Sequence, residues 1–269
     1  MNTKVDIVKL WGDEIDSYMT IYIPREKTND CAILIFPGGG YTHRAPHEGK
    51  TYAEFFVKQG ILAAVVEYRV YPHLFPEPLQ DAQRAIQILR YNALKYGIDK
   101  NKIAVMGSSA GGHLAATLAT YKKSLVVCED EISKEEIIPN AQIICYGVLA
   151  LNTEYAHQGS GEHLLAERKF ELGEELSPIL IADNTAPQAF IWHTWADTVV
   201  PVENSLEYVK KLHSCGVSAE LHIFPDGRHG MGLCQDEGKI WEYNAKWSKL
   251  MIEWLEYIDF KKGKNEQNI

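Results

Sequence analysis

Gly107-Ser108-Ser109-Ala110-Gly111 is a G-x-S-x-G sequence. A serine hydroxyl is a weak nucleophile unless a base takes its proton, and that base in turn needs a carboxylate to orient it. The register centres on Ser109, because a pattern centred on Ser108 needs glycine at 106 and 110, where the chain has Met106 and Ala110. The setting matters more than the pattern. Apolar KIAVM leads in and a run of small residues leads out, the strand-turn-helix context in which a serine is held above the end of a sheet. Glycine at both ±2 positions and alanine at +1 leave the room that such a sharp turn requires. An ordinary glycine-rich strand-to-helix turn is the plainer alternative.

Ten histidines compete for the base. His193 and His222 fall inside strand-like runs, where packing roles are the rule, and His113 opens the helix after Ser109. His43 and His47 follow a glycine-rich loop and are candidates for touching substrate. His229 stands apart, in the Gly-flanked segment Pro225-Asp226-Gly227-Arg228-His229-Gly230-Met231-Gly232 just past the last strand-like run, where parallel sheets place their sites. For the acid, Asp197 follows a strand-like run within Trp195-Ala196-Asp197-Thr198-Val199-Val200-Pro201. Its alternative duty is to cap the helix after Pro201. Asp226, three residues before His229, is a competitor. The order Ser109, Asp197, His229 is the one expected of a hydrolase built on a parallel α/β sheet. Pro37-Gly38-Gly39-Gly40-Tyr41, directly after CAILIF, adds bare backbone N–H groups that can hold an oxyanion. A phosphate cradle is the rival reading, but the chain lacks Gly-Lys-Ser/Thr and G-x-G-x-x-G there.

These residues meet only if the elements between them alternate. Short apolar runs at 31–36, 61–67, 103–106, 141–146, 189–195 and 221–224 read as buried strands. Helical spacing covers 51–59, 79–96, 110–120, 202–213 and 241–260. Two further β-rich stretches, 5–11 and 18–24, predict an antiparallel edge. The sum is an α/β protein with a mostly parallel central sheet and helices on both faces. Residues 152–187 break the rhythm, being polar with one plausible helix at 162–168, and read as a small insertion or cap. Residues 261–269 read as a polar tail that frays. The chain has 269 residues, 46% hydrophobic and 23% charged, which suits one domain spanning 1–269. A net charge of −9 argues against a nucleic-acid partner. No apolar run is long enough to cross a bilayer, and residues 1–10 lack the apolar core of a secretory signal, so a cytoplasmic protein without a membrane partner is expected. Five scattered cysteines, without CxxC or HExxH, predict neither a disulfide framework nor a metal site, and no cofactor is called for.

The chain resembles the α/β-hydrolase-fold esterases, near the acetylxylan-esterase-like and hormone-sensitive-lipase-like bacterial carboxylesterases. The resemblance runs roughly from residue 33 to 232 and rests on PGGGY (37–41), YRVYPHLFPEPLQDA (68–82), GSSAGG (107–112), LSP (176–178), HTWADTVVP (193–201) and GRHGMG (227–232). It implies an α/β-hydrolase fold with Ser109, Asp197 and His229 as the triad and the N–H groups of Gly39, Gly40 and Ala110 as the oxyanion hole. Pro37, where the lipase-like group has histidine, points to the acetylxylan-esterase-like branch, and Trp195 departs from the smaller or polar residue expected. The implied activity is hydrolysis of short acyl esters, with acetyl groups on xylo-oligosaccharides or other sugars as leading small-molecule substrates. Tyr41, Trp195 and Met231 are the candidate substrate contacts; Trp192 is at least as good a core residue. Amide cleavage by the same triad (a formamidase or small peptidase) and a non-catalytic ligand-binding role are the alternatives.

Overall fold

The computed structural model describes residues 3–13 and 15–261. Among them, eight strands form one sheet: β1 (Lys4–Lys9), β2 (Tyr18–Ile23), β3 (Ala32–Phe36), β4 (Leu62–Glu67), β5 (Ile103–Ser108), β6 (Ala141–Cys145), β7 (Ala189–Thr194) and β8 (Ala219–Phe224). Their order is β1-β2-β4-β3-β5-β6-β7-β8. β1 on β2 and β2 on β4 are antiparallel, and all later pairings are parallel. The α-helices are α1 (Lys50–Lys58), α2 (Glu77–Tyr91), α3 (Ala93–Tyr96), α4 (Ala110–Thr120), α5 (Gln158–Leu165), α6 (Lys169–Leu172), α7 (Pro178–Ile181), α8 (Glu203–Ser214), α9 (Lys239–Asn244) and α10 (Lys246–Tyr257).

β3, β5, β6 and β7 are buried from end to end, as near-continuous apolar runs covered on both faces must be. The pleat divides each strand between two cores. Leu34 and Phe36 pack with Leu89 of α2, Leu118 of α4 and Tyr208 of α8. Ile33 and Ile35 pack with Phe56 of α1 and with Trp247 and Trp254 of α10. Residues 68–82, one of the stretches behind the family resemblance, close on a buried ion pair. Arg69 Nη2 lies 2.8 Å from Asp81 Oδ1. Asp81 also accepts from the Arg69 backbone N–H and from the Trp11 indole, so this stretch fixes an N-terminal loop onto α2.

Three helices depart from the spacing. The run expected as one helix over 79–96 starts earlier, at Glu77, because Pro76 and Pro78 suit a helix start. It breaks after Tyr91, where the Asn92 amide donates to the Ile88 carbonyl at 2.8 Å, a side chain competing with the backbone ladder. The run over 241–260 is two helices, α9 and α10, meeting at Ala245 and ending at Tyr257. In 152–187 the expected helix at 162–168 is displaced. α5 begins at Gln158 because the His157 imidazole accepts the Ser160 N–H as its cap, and only a single 3-10 turn and α6 follow before α7. Of the expected fraying tail, Lys261 is buried, with its ammonium on Glu256, and the remaining residues lie outside those described.

Candidate active site

β5 delivers Ser109 into the turn before α4. Its backbone has φ 55°, a left-handed conformation that costs a non-glycine residue energy. The turn is held by its neighbours: the Ser109 N–H donates to Cys145 O, and Ser109 O accepts from His113 and Val148. Glycine is obligatory at both flanks. A Cβ on Gly107 would lie 2.0 Å from Gly111 O, and one on Gly111 would lie 2.1 Å from Phe36 O. Ser108 points the other way, fully buried, with its hydroxyl 3.0 Å from the Tyr52 hydroxyl.

Loops after β7 and β8 bring two more groups to this point. His229 Nε2 lies 2.8 Å from Ser109 Oγ, and His229 Nδ1 lies 2.6 Å from Asp197 Oδ2. With the Nδ1 proton donated to the carboxylate, Nε2 is left free to accept the serine proton. Asp226 is exposed, and its backbone carbonyl rather than its carboxylate is engaged, by the Asn244 amide. Of the two duties weighed for Asp197, capping the following helix is not seen, and the carboxylate instead ties down its own loop. Its Oδ1 accepts the Val199 and Val200 N–H groups, both at 2.9 Å, while Oδ2 faces His229. It is not the cap of α8, which starts at Glu203. Burial alone raises the pKa of this carboxyl, but hydrogen bonds from His193 and His229, the His229 charge and the Val200 N–H outweigh it and hold the group well below the ordinary carboxylate range.

The 37–41 loop follows β3, beside β5 in the sheet. Each of its carbonyls turns to a partner. Gly38 O accepts from Ala45, Gly39 O from Thr42 and His43, and Gly40 O from His163 Nδ1 of α5 at 3.0 Å. By contrast, the N–H groups of Gly39, Gly40 and Ala110 have no protein acceptor among the described residues. Gly39 and Gly40 have φ of 130° and 61°, and a Cβ on Gly39 would fall 2.2 Å from His43 O.

Two expected substrate contacts turn inward. Tyr41 is 1% exposed, its hydroxyl 2.7 Å from His113 Nδ1 and its ring edge-on to Tyr68, so it braces the loop from below. Met231 is 4% exposed and packs in the α1–α10 core, its sulfur accepting from Asn244. Trp192 is buried and stacked on Trp247. Trp195 is 62% exposed at the end of β7. His43 is exposed beside Thr42, and His47 reaches Gly230 O in the His229 loop.

Residues that the sequence reading passed over complete the surroundings. His193, read as a packing residue, is fully buried behind Asp197, with Nε2 2.9 Å from Val200 O and 3.4 Å from Asp197 Oδ2. Its signal was present, four residues before Asp197. His157 and His163 of the 152–187 segment come close to the site; burial, then the His229 charge, lowers the pKa of His157. Among the described residues no helix is long and apolar enough to cross a membrane, and no three His, Cys, Asp or Glu side chains are grouped to hold a metal ion.

The family model described as BD-FAE matches residues 19–212. Endo-1,4-beta-xylanase B of Butyrivibrio fibrisolvens is 35% identical over 216 residues, which are 77% of this chain and 33% of that protein. The acetylxylan esterase of Xylanibacter ruminicola is 29% identical over 254 residues, 92% of this chain and 49% of that protein. The chain therefore spans half or less of the length of these two relatives. Among solved structures, the acetyl ester-xyloside bifunctional hydrolase from Caldicellulosiruptor lactoaceticus superposes with a TM-score of 0.88 at 39% identity, covering 95% of this chain and 97% of that one. With the family match spanning residues 19–212 and the likeness in fold extending over nearly the whole chain, the protein belongs to the BD-FAE family and has the α/β-hydrolase fold.

Proposed function

We propose that this protein is a serine carboxylesterase that hydrolyses short acyl esters, above all acetyl esters of xylo-oligosaccharides or other sugars. The observation that carries the reading is the continuous line from the Asp197 carboxylate through His229 to the Ser109 hydroxyl, at 2.6 and 2.8 Å. His229 Nε2 takes the Ser109 proton as Oγ attacks the ester carbonyl carbon. Asp197 keeps the proton of the neutral ring on Nδ1 and stabilises the imidazolium that forms. The carbonyl oxygen becomes an oxyanion, received by the free N–H groups of Gly39, Gly40 and Ala110. Collapse expels the alcohol, which takes the proton back from His229 Nε2 and leaves an acyl group on Ser109. Water, deprotonated by the same imidazole, then releases the acid.

Two observations support the substrate class. One of the two relatives is named an acetylxylan esterase, and the structural neighbour an acetyl ester-xyloside bifunctional hydrolase. At the oxyanion loop, His163 of α5 bonds to Gly40 O and the exposed Tyr71 ring packs edge-on against it, two polar aromatic groups beside the oxyanion donors. The test is kcat/KM on p-nitrophenyl acetate, butyrate and octanoate, on an acetylated xylo-oligosaccharide and on an acyl anilide. The highest values are expected for acetate or butyrate, with release of acetate from the oligosaccharide. A preference for octanoate contradicts the short-acyl reading, and a preference for the anilide contradicts esterase function.

A further inference from the structure

Glu48 is absent from the machinery so far, yet it is the buried carboxylate that touches both of its loops. It is 2% exposed, in a short turn between the glycine loop and α1. Its Oε2 accepts the Gly38 N–H at 2.9 Å, the first N–H of the glycine loop. Its Oε1 accepts the Tyr146 hydroxyl at 2.7 Å. That hydroxyl in turn accepts the Gly232 N–H at 2.9 Å, from the loop that carries His229. Among the described residues Glu48 makes no ion pair with Lys or Arg; the exposed His47 imidazole lies 3.7 Å from its Oε1.

Tyr146 is built into the same place. It follows β6 with φ 39°, a left-handed backbone for a bulky residue, fixed by its N–H on Trp192 O. Its ring lies edge-on to the His229 imidazole with centroids 5.1 Å apart. Through Tyr52 the chain of hydroxyls continues to Ser108, beside the nucleophile, at 3.3 and 3.0 Å. The same turn grips the His229 loop a second time, where His47 Nε2 donates to Gly230 O at 3.1 Å.

We infer that Glu48 is a positioning residue that clamps the oxyanion loop to the His229 loop, through Gly38 N–H on one oxygen and Tyr146 with Gly232 N–H on the other. The physical reason is cost. A carboxyl removed from water is tolerated only while its hydrogen bonds stay made, so separating the two loops leaves buried polar atoms unpaired and the separation is resisted. The clamp also uses up the Gly38 N–H, which leaves the next N–H groups of the loop for the substrate. It touches no reacting atom; it sets the distance between the oxyanion donors and the base, and misplacement of such groups is paid in kcat.

The inference rests on the esterase reading for its kinetic arm, and hydrogen–deuterium exchange supplies an arm that does not. Three variants suffice: Glu48→Ala, Glu48→Gln and Tyr146→Phe. Glu48→Ala should lower kcat by about 10²-fold with little change in KM. It should also speed exchange in residues 38–45 and 227–234 together. Gln can still accept from Gly38 and donate to the Tyr146 oxygen, so Glu48→Gln should keep kcat to within about tenfold of the parent. Tyr146→Phe should speed exchange in 227–234 and leave 38–45 as it was. Unchanged exchange in both segments of a folded Glu48→Ala overturns the clamp, as does a Gln variant as impaired as Ala, since charge rather than bonding would then be responsible. If Glu48→Ala does not fold, parental exchange at 227–234 in Tyr146→Phe overturns it alone. Absence of esterase activity in the parent would defeat the functional reading and leave the exchange result to decide this one.

Discussion

His113, in the first turn of α4, and His229, in the loop after β8, both have each ring nitrogen hydrogen-bonded, but to partners of opposite character. His113 lies 1% exposed between the Tyr41 hydroxyl and the Leu176 carbonyl, two neutral groups. Burial pulls its pKa down to about 4, the Leu176 bond only partly offsetting this. The ring is therefore a neutral brace, joining the underside of the glycine loop to the base of the 152–187 segment. His229 keeps 15% of its side chain open and sits between a carboxylate and a hydroxyl. One partner stabilises the charge the ring would gain, and the other has the proton it would take. Geometry alone does not separate the two, since both are well bonded; the ionisation of the partners and access to solvent do.

The comparison breaks most severely if the hydroxyl is removed. Ser109→Ala should cost on the order of 10⁶ in kcat, whereas Ser108→Ala, whose hydroxyl faces the Tyr52 side, should keep most activity. Steady-state kinetics on p-nitrophenyl acetate read both; a dead Ser108 variant beside a live Ser109 variant would invert the assignment. Next is the acid. Asp197→Asn should lower kcat by about 10⁴-fold, because an amide holds the imidazole in the wrong tautomer. Asp226→Asn, at an exposed position, should change it little. The two are assayed side by side with circular dichroism to show that both fold, and a crippled Asp226 variant would return Asp197 to a purely local role at Val199 and Val200.

The smallest effect is on stability, and it sharpens the contrast from the His113 side. Above pH 6.5 this histidine is neutral in folded and unfolded chains alike, and its native bonds count in full. As pH falls from 6.5 to about 4 the unfolded chain binds a proton that the folded one does not, so stability is lost progressively across that window. The loss is about 2 kcal/mol by pH 5. Melting temperature should therefore fall between pH 7 and 5. His113→Gln, which can accept from Tyr41 and donate to Leu176, should flatten that fall while leaving kcat near the parent value. A slope unchanged by the substitution would show that the acid sensitivity lies elsewhere.

The strands were legible because each is an apolar run with a hard stop, and the serine turn because Gly107 and Gly111 are sterically compelled. The positions of Asp197 and His229 after strand-like runs followed from the same alternation. What stayed hidden depends on partners distant in sequence. Nothing near Glu48 sets it apart from a surface glutamate, as its partners lie 10 and 98 residues away. Tyr41 and Met231 were read as substrate contacts because they adjoin functional loops, and adjacency in sequence does not say which way a side chain turns. The helix breaks at Asn92 and Ala245 and the histidine cap of α5 were missed because apolar spacing continues through the first two and histidine is an unusual cap.

The central claim, that Ser109 is the nucleophile His229 serves, is tested most directly by labelling with a fluorophosphonate probe and locating the adduct by tandem mass spectrometry of the peptide spanning residues 103–122. A single phosphonyl group on Ser109, lost in both Ser109→Ala and His229→Gln, is the predicted result. An adduct on Ser108, or labelling that survives the loss of His229 undiminished, would contradict it.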